Sequence, residues 1–304
     1  MESFRLSTDH ATMVGLRSLP PPSTSPLKYR PLIVGLHGGS YDKQYFDATP
    51  ATSASVMSKA LVVPFISIDR PSYGGTTSVL PVPKGSDFNL ETGRLLHNSI
   101  LPSIWSDMGA VNGCNCIVLL CHSLGVMGGT VAAALHAQDK TPRYPLGGII
   151  LSGMGDRQSI QMQGRSAESD FDPMQYTTSP VEWKDSVMFK PGTVVPDVVQ
   201  QTERLNAPMP LAESGRFAVD WLPIWKEIWA AQVLVPVMFS LVDDDPFFIS
   251  TKEEVDRCVG AFTKSVRAEG SLVLGAPHCI ELSYWSQGWY ARCFGFAIEC
   301  AASL

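Results

Sequence analysis

The sequence predicts an α/β fold with a mostly parallel sheet covered by helices on both faces. Short uninterrupted apolar runs recur along the chain, separated by segments whose apolar residues have helical spacing. Short apolar strands that alternate with helices are typical of a parallel sheet buried on both sides. At 304 residues, with 45% hydrophobic and 17% charged residues, the chain can form one large domain of this kind with a sizeable core.

The predicted elements follow one another in an order that fits this fold. Residues 1–18 predict an opening β-hairpin. The apolar pattern over 89–105 predicts a helix with Asn89 as its N-cap, which Pro102 kinks or ends. Further helices are predicted at 53–63 and 126–135, and buried strands at 31–36, 63–68, 117–120, 148–152, 235–241 and 271–274.

The alternation breaks in a long stretch of the C-terminal half. This stretch is polar and proline-rich, and it ends with Trp221, Trp225 and Trp229 at a spacing that places them on one helix face. Such a stripe favours packing in the core or under a lid over a ligand platform. We interpret this stretch as a lid that is inserted into a single domain and favours a fairly apolar substrate. The core would comprise 1–155 and 232–304, and the lid 156–231.

Charge and composition exclude several classes of protein. The formal net charge of -6 and the lack of a basic run argue against a nucleic-acid partner, because phosphate binding needs clustered lysine and arginine. The N-terminus has no apolar signal region and no apolar run is long enough to span a bilayer, so we expect a cytoplasmic protein without a membrane span. The seven cysteines are irregularly spaced and predict free thiols, and nothing in the sequence requires a metal or an organic cofactor.

The stretch Cys121–Gly125 carries the strongest chemical signal. It follows the apolar run 117–120 and precedes a helix of small residues, so Ser123 lies in a sharp strand-to-helix turn. That context is typical of a nucleophile elbow, which lifts a serine hydroxyl above the sheet edge. Cys121 stands where the usual pattern has its first glycine. An N-cap serine would explain the turn alone, but other residues fall in the order that a catalytic triad needs.

A base and an acid for Ser123 are available later in the chain. A serine hydroxyl becomes a strong nucleophile only when a base takes its proton and a third group orients that base. His278 is the histidine that follows both Ser123 and a plausible acid, in a loop after the last predicted strand. Three adjacent carboxylates, Asp243, Asp244 and Asp245, cannot all be buried and ionised. We predict Asp245 as the acid because apolar residues follow it, with Asp244 as the alternative.

Two backbone amides complete the predicted site. An enzyme that transfers acyl groups stabilises its oxyanion with two N–H donors. Leu124 supplies one by its position after the serine, and Gly39 in the glycine turn at His37–Gly39 is our choice for the second. These amides would stabilise the tetrahedral oxyanion that forms when Ser123 attacks an ester-like carbonyl.

These motifs resemble those of the α/β-hydrolase fold superfamily over nearly the full length of the chain. The stretch Asp69–Gly74 also resembles the family's Asp-Arg-Pro-Gly-Tyr-Gly turn, with Ser72 in place of glycine. Aligning Pro236 with the proline that opens the family's acid-bearing strand places Asp245 at the acid and Val242 at a common glycine. The resemblance implies a mostly parallel eight-stranded sheet flanked by helices, an inserted helical lid and a Ser-His-Asp triad at the predicted positions.

The predicted function is a serine hydrolase that cleaves an ester, thioester or lactone of a fairly apolar small molecule. The stretch His37–Tyr41, together with Tyr45–Asp47, resembles the corresponding stretches of hydrolases from microbial, notably fungal, natural-product pathways. The alternative is therefore a cyclisation, acyl transfer or C–C bond step on a secondary-metabolite intermediate. A third hypothesis is a ligand-binding protein that keeps the fold without catalysis. Predicted substrate contacts are Tyr41, His122, Trp183 and Trp221, although packing explains Tyr41 equally well and His122 better.

Overall fold

The computed structural model describes residues 1–162, 172 and 174–304, and an eight-stranded sheet forms its centre. Two further short strands pair separately in a small hairpin-like sheet. The strands are β1 (Glu2–Ser7), β2 (Thr12–Ser18), β3 (Pro31–Leu36), β4 (Phe65–Ile68), β5 (Cys116–His122), β6 (Leu146–Ser152), β7 (Tyr176–Thr177), β8 (Met209–Pro210), β9 (Val237–Val242) and β10 (Ala268–Val273).

The large sheet confirms the predicted α/β fold. Its strand order is β1-β2-β4-β3-β5-β6-β9-β10, and β7 pairs with β8. The opening hairpin is antiparallel, and its strand β2 pairs with β4 in antiparallel register. The other six strands, β3, β4, β5, β6, β9 and β10, are parallel to one another. Every residue of β3, β4, β5, β6 and β9 is buried, which explains why these strands read as continuous apolar runs.

Helices cover both faces of the sheet, and the sheet separates two apolar layers. Single helical turns of 3-10 or π type extend several of them. No helix of the described residues is both long and apolar enough to cross a membrane. The α-helices are α1 (Ser55–Leu61), α2 (Phe88–Leu95), α3 (Leu101–Ile104), α4 (Gly125–Gln138), α5 (Val181–Met188), α6 (Pro196–Val199), α7 (Leu211–Ser214), α8 (Lys252–Val259) and α9 (Ser286–Ala302).

The helix predicted over 89–105 begins and continues differently from the expectation. Its N-cap is Asp87, whose carboxylate accepts the backbone N–H groups of Asn89 and Leu90. The prediction of Asn89 as the N-cap was wrong because the aspartate two residues earlier can reach both free amides. Pro102 does not end the helical path, since it lies in the first turn of α3, where its missing N–H costs little.

The predicted lid, residues 156–231 and called the cap segment from here on, joins β6 to β9 and contributes no strand to the large sheet among its described residues. It contains β7, β8 and the short helices α5, α6 and α7. Part of it, residues 163–171 and 173, lies outside the described residues. Trp221 and Trp225 are buried with stacked rings 6.1 Å apart, as expected for a packing stripe.

Candidate active site

The parallel strands bring four loops to one edge of the sheet. The carboxyl ends of β3, β5, β9 and β10 lie side by side or one strand apart. Each is followed by residues with predicted chemistry, namely His37–Gly39, Ser123, Asp243–Asp245 and His278. Ligands of open α/β sheets bind at this edge, so the topology alone assembles a candidate site.

Ser123 occupies a strained turn between β5 and α4. Its φ of 50° lies in the left-handed region, and its N–H donates to the Ser152 carbonyl at 2.8 Å. The helix α4 begins at Gly125, where a β-carbon would lie 2.4 Å from the Leu36 carbonyl oxygen. Only glycine fits there, because real β-carbons do not approach a backbone oxygen so closely. The glycine therefore lets α4 start close to β3 and directly behind the serine.

Cys121 explains how this turn departs from the usual motif. Its side chain is fully buried, and its Sγ lies 2.4 Å from the position that a β-carbon would take on Gly129. The cysteine side chain thus occupies space that the missing side chain of Gly129 leaves on the facing helix. Burial raises the pKa of the Cys121 thiol, so it stays protonated and acts as a small apolar residue.

Ser123, His278 and Asp245 form a hydrogen-bonded chain. The His278 Nδ1 atom lies 2.7 Å from Asp245 Oδ2, and Nε2 lies 3.1 Å from Ser123 Oγ. A carboxylate oxygen accepts, so Nδ1–H donates to Asp245 and Nε2 is left to accept the serine proton. His278 and Asp245 are buried, whereas Ser123 is partly accessible. The site residues that the sequence predicted for this chain are thus brought together.

The three adjacent aspartates have three different environments. Asp245 is buried, and its Oδ1 accepts the backbone N–H groups of Phe247 at 2.9 Å and Phe248 at 3.3 Å. These bonds fix the carboxylate and aim Oδ2 at the histidine. Asp244 is exposed and has a φ of 50°, which turns its side chain to solvent. Of the two alternatives that the sequence left open, Asp245 is the one that faces His278.

Asp243 links the loop that carries the acid to the loop that carries the histidine. Its Oδ1 accepts the Gly275 N–H at 2.7 Å, three residues before His278. The same oxygen accepts from Lys190 Nζ of the cap segment at 2.8 Å, and Lys190 also donates to the Asp243 carbonyl. The first aspartate of the run therefore ties both loops to the cap segment.

A buried histidine supports the glycine turn. The backbone N–H of Arg70 donates to His37 Nε2 at 3.1 Å, so the proton of the neutral ring is on Nδ1, which lies 2.8 Å from the Gly38 carbonyl. Burial, and secondarily the charge of Arg70, holds the pKa of His37 well below its ordinary value. The ring is therefore a neutral, fixed support for the turn.

The two residues whose amides are predicted to bind the oxyanion, Gly39 and Leu124, line the same cavity as Ser123. Within the described residues, neither the Gly39 nor the Leu124 N–H donates to a backbone or side-chain acceptor. Both residues line the cavity at Ser123, and a β-carbon on Gly39 would lie 2.6 Å from Leu124 Cδ1. Two unpaired N–H groups beside a partly accessible serine suit an anionic oxygen.

A cavity of about 230 Å³ opens at Ser123 between the sheet edge and the cap segment. Its described lining includes no lysine, arginine, aspartate or glutamate. The walls are mostly apolar, and most of the lining residues belong to the cap segment. From that segment the sequence predicted only Trp183 and Trp221 as substrate contacts. The lining residues are Gly39, Ser40, Ser123, Leu124, Gln158, Met162, Ser179, Trp183, Met188, Met209, Ser214, Gly215, Phe217, Ala218, Phe247 and Phe248.

The four predicted substrate contacts have different positions. Trp183 lines the cavity and is 43% exposed. Tyr41, His122 and Trp221 are buried and do not line this cavity, which corrects their assignment as substrate contacts. Tyr41 packs on Tyr45 and under the Lys184 ammonium, and Trp221 packs in the core, because large rings bury more area there than at a cavity wall.

A buried carboxylate below the site went unnoticed in the sequence. Glu281 accepts the hydroxyl of Tyr45 at 2.7 Å and the Trp289 indole N–H at 2.8 Å, and lies 3.5 Å from His122 Nδ1. Burial raises the pKa of Glu281 and lowers that of His122. The His122 ring is stacked on Tyr45 and lies 5.0 Å from the His278 ring. In the sequence, the position of Glu281 three residues after His278 is the feature that could have pointed to it.

The described part of the chain contains neither a disulfide nor a cluster of metal-ligand type. All seven cysteines are buried free thiols, as the sequence predicted. Among the described residues, no group of three or more histidine, cysteine, aspartate or glutamate side chains is arranged to hold a metal ion.

Comparison with known families agrees with this geometry. The sequence profile of the alpha/beta hydrolase family matches residues 33–287, a span that contains Ser123, Asp245 and His278. The chain belongs to the α/β hydrolase family. The resemblance drawn from the sequence motifs is therefore confirmed. A comparison with curated proteins gives no match.

Solved structures share this fold over almost the whole chain. A soluble variant of monoglyceride lipase from Saccharomyces cerevisiae, bound to a substrate analog, has a TM-score of 0.66 at 13% identity, covering 98% of this chain and 94% of that one. A malate-bound thermophilic esterase from Thermogutta terrifontis has a TM-score of 0.61 at 14% identity, covering 99% and 100%. A mutant of the N-acyl homoserine lactonase AidH with N-hexanoyl homoserine gives 0.60 at 16% identity, covering 98% and 96%. At these identities the likeness shows the fold alone.

Proposed function

We propose that this α/β hydrolase cleaves an ester, thioester or lactone of a neutral, fairly apolar small molecule through an acyl-enzyme on Ser123. The observation that carries the proposal is the hydrogen-bonded chain from Ser123 Oγ through His278 to Asp245, at 3.1 and 2.7 Å, which opens into a cavity whose described lining is uncharged. Nucleophile, base and orienting acid within hydrogen-bond distance are what nucleophilic acyl transfer requires.

In the first half-reaction, Ser123 Oγ attacks the carbonyl carbon while His278 Nε2 takes the hydroxyl proton. The carbonyl π electrons move to oxygen, which the Gly39 and Leu124 amides stabilise. When the oxyanion collapses, the bond to the leaving group breaks and the His278 proton passes to the leaving oxygen or sulfur. Asp245 keeps the imidazole in the required tautomer and stabilises its positive charge.

In the second half-reaction, a water molecule attacks the acyl-enzyme and gives its proton to His278. The second oxyanion collapses, the bond between the acyl carbon and Ser123 Oγ breaks, and His278 returns the proton to the serine. The product is a carboxylic acid, and the enzyme is restored with all protons accounted for. No group outside the described site is needed for either step.

The walls of the cavity support a neutral and apolar substrate. Burying an ion without a partner is costly, and the described lining offers no charged side chain to a charged acyl group. Three of the lining residues are the methionines Met162, Met188 and Met209. Methionine adapts to irregular apolar shapes, so it suits an alkyl or aromatic acyl group. Two proteins of this fold, the thermophilic esterase and the monoglyceride lipase, are named for ester cleavage, which agrees with this reaction.

The proposal is tested by labelling and turnover in parallel. We expect a fluorophosphonate to label Ser123 and p-nitrophenyl butyrate to be hydrolysed with a burst of p-nitrophenolate. Ser123→Ala should abolish labelling and lower kcat by about 10⁴- to 10⁶-fold. Ser179→Ala, which alters another serine of the cavity wall, is the matched control and should keep the labelling. Undiminished turnover in Ser123→Ala would sink the proposal, and transfer of the acyl group to an added alcohol in preference to water would favour acyl transfer instead.

A further inference from the structure

One side chain of the cap segment lies against Gly39, a glycine of the predicted oxyanion site. A β-carbon built on Gly39 would be 2.6 Å from Met209 Sδ, and Met209 also lines the cavity. Because Gly39 is one of the two amide donors, the Met209 thioether lies within a few ångströms of where the substrate carbonyl must be placed. Any substituent on the carbon beside that carbonyl must share this space with the methionine.

Met209 is held in place from both sides. Two residues before it, the Ala207 N–H donates to the Ser40 carbonyl of the glycine turn at 3.0 Å. Four residues after it, Glu213 is buried and pairs with the Arg70 guanidinium, with one of the two contacts at 3.1 Å. The Met209 backbone is thus fixed to the turn that it covers.

The position of His278 decides which half of the substrate Met209 contacts. The leaving group must lie next to His278 Nε2, because that atom gives it a proton. Phe247 packs against the His278 ring at 4.6 Å and lines the same cavity, so it marks the leaving-group side. With the leaving group at His278, the acyl chain would extend toward Gly39, against which Met209 lies.

From this arrangement we infer that Met209 excludes acyl groups branched at the carbon next to the carbonyl, and that the enzyme acts on unbranched acyl chains. The inference rests on the proposed acyl-enzyme reaction and adds its substrate class. Without the Met209 side chain, the site would accept a methyl branch at the carbon next to the carbonyl. A steric limit at one carbon is worth about tenfold or more in kcat/KM, the usual value for one methyl group.

Two isomeric substrates test the inference. p-Nitrophenyl butyrate and p-nitrophenyl isobutyrate have the same composition and leaving group, and they differ only in branching next to the carbonyl. We expect the natural protein to prefer butyrate in kcat/KM by roughly tenfold or more. Met209→Ala should remove most of that preference by raising the isobutyrate value. Met209→Leu, which keeps the bulk, should retain it.

Met188→Ala is the matched control, since it removes the same side chain from another part of the cavity wall. We expect its butyrate-to-isobutyrate ratio to stay that of the natural protein. An unchanged ratio in Met209→Ala, with fluorophosphonate labelling of Ser123 intact, would overturn the inference and leave the proposed function standing. An equal change in Met188→Ala would also overturn it. Absence of labelling in the natural protein would instead overturn the proposed function, and this inference with it.

Discussion

The loops at the sheet edge and the cap segment above them are held in place by different interactions. At the sheet edge, backbone groups hold the loops: the Ser123 N–H donates to the Ser152 carbonyl of the neighbouring strand, and Asp245 accepts two amides of the next turn. The cap segment is held by side chains that reach distant parts of the chain, as Glu213 reaches Arg70 and Arg204 reaches the Ala48 carbonyl at 2.7 Å. The difference teaches that the reacting groups are positioned by topology, and the substrate pocket by individual polar contacts.

The largest expected effect breaks the sheet-edge arrangement at its acid. Asp245→Asn keeps the shape of the side chain but turns the carboxylate into an amide that cannot hold His278 in the same tautomer. We expect kcat for p-nitrophenyl butyrate to fall by about 10⁴-fold. Steady-state kinetics with equal amounts of folded protein measure the effect.

Asp244→Asn is the matched control for that substitution. Asp244 is the exposed neighbour and does not face the histidine, so its kcat should stay within about twofold of the natural protein. A loss in Asp244→Asn as large as in Asp245→Asn would show that the acid is misassigned.

The sequence was sufficient to predict the sheet-edge region because its positions follow from short-range rules. Apolar runs predict buried strands, parallel strands place their ends together, and glycine is needed where Gly125 approaches the Leu36 carbonyl. The choice between Asp244 and Asp245 is decided by the turn at Phe247, whose backbone amide selects one carboxylate. Sequence patterns do not reveal that hydrogen bond. The prediction of Asp245 as the acid rests instead on the apolar residues that follow it.

The cap segment makes contacts that the sequence could not predict. Its elements are short, and Glu213 lies 140 or more residues from the Arg70 and Tyr73 side chains that it contacts. No local periodicity signals such a pair. The sequence likewise cannot tell whether Tyr41 and Trp221 contact substrate or pack in the core, because large aromatic residues suit both roles. In the structure both are buried.

The second prediction breaks the polar contact that holds the cap segment. Arg70 and Glu213 side chains are each 1% exposed, and Tyr73 also donates its hydroxyl to Glu213. Glu213→Ala would leave the Arg70 charge buried without a counter-ion. We expect the free energy of unfolding to fall by about 3–5 kcal/mol, measured by urea denaturation.

An exposed ion pair provides the comparison for that value. Lys252 and Asp256 are 75% and 62% exposed and lie one turn apart on α8. Asp256→Ala should lower the free energy of unfolding by no more than about 0.5 kcal/mol, because solvent screens the pair. If the two substitutions had similar effects, the cap segment would not depend on the buried contact.

The smallest expected effect concerns a buried amine at the base of the cap segment. Lys184 is 1% exposed; its Nζ donates to the Leu205 carbonyl at 3.0 Å and lies 4.4 Å from the Tyr41 ring centre. Burial lowers the pKa of Lys184 from 10.5 to about 8. Between these values the folded protein has lost the proton that the unfolded chain still binds, so this lysine makes stability rise with pH across that window.

Replacing the lysine with a group that does not titrate should remove that pH dependence. Below pH 8, Lys184 is charged in the folded and in the unfolded protein, and Lys184→Met should be more stable than the natural protein. This difference in the free energy of unfolding should shrink by about 1–3 kcal/mol as the pH approaches 10.5. Urea denaturation of both proteins at a series of pH values measures the difference, in which the titration of all other groups cancels. Lys252→Met, at a lysine that is 75% exposed, should show the same change in the free energy of unfolding with pH as the natural protein. If Lys184→Met also showed the pH dependence of the natural protein, the amine would be solvated in the folded state. The cap segment would then be held more loosely over Tyr41 than these contacts imply.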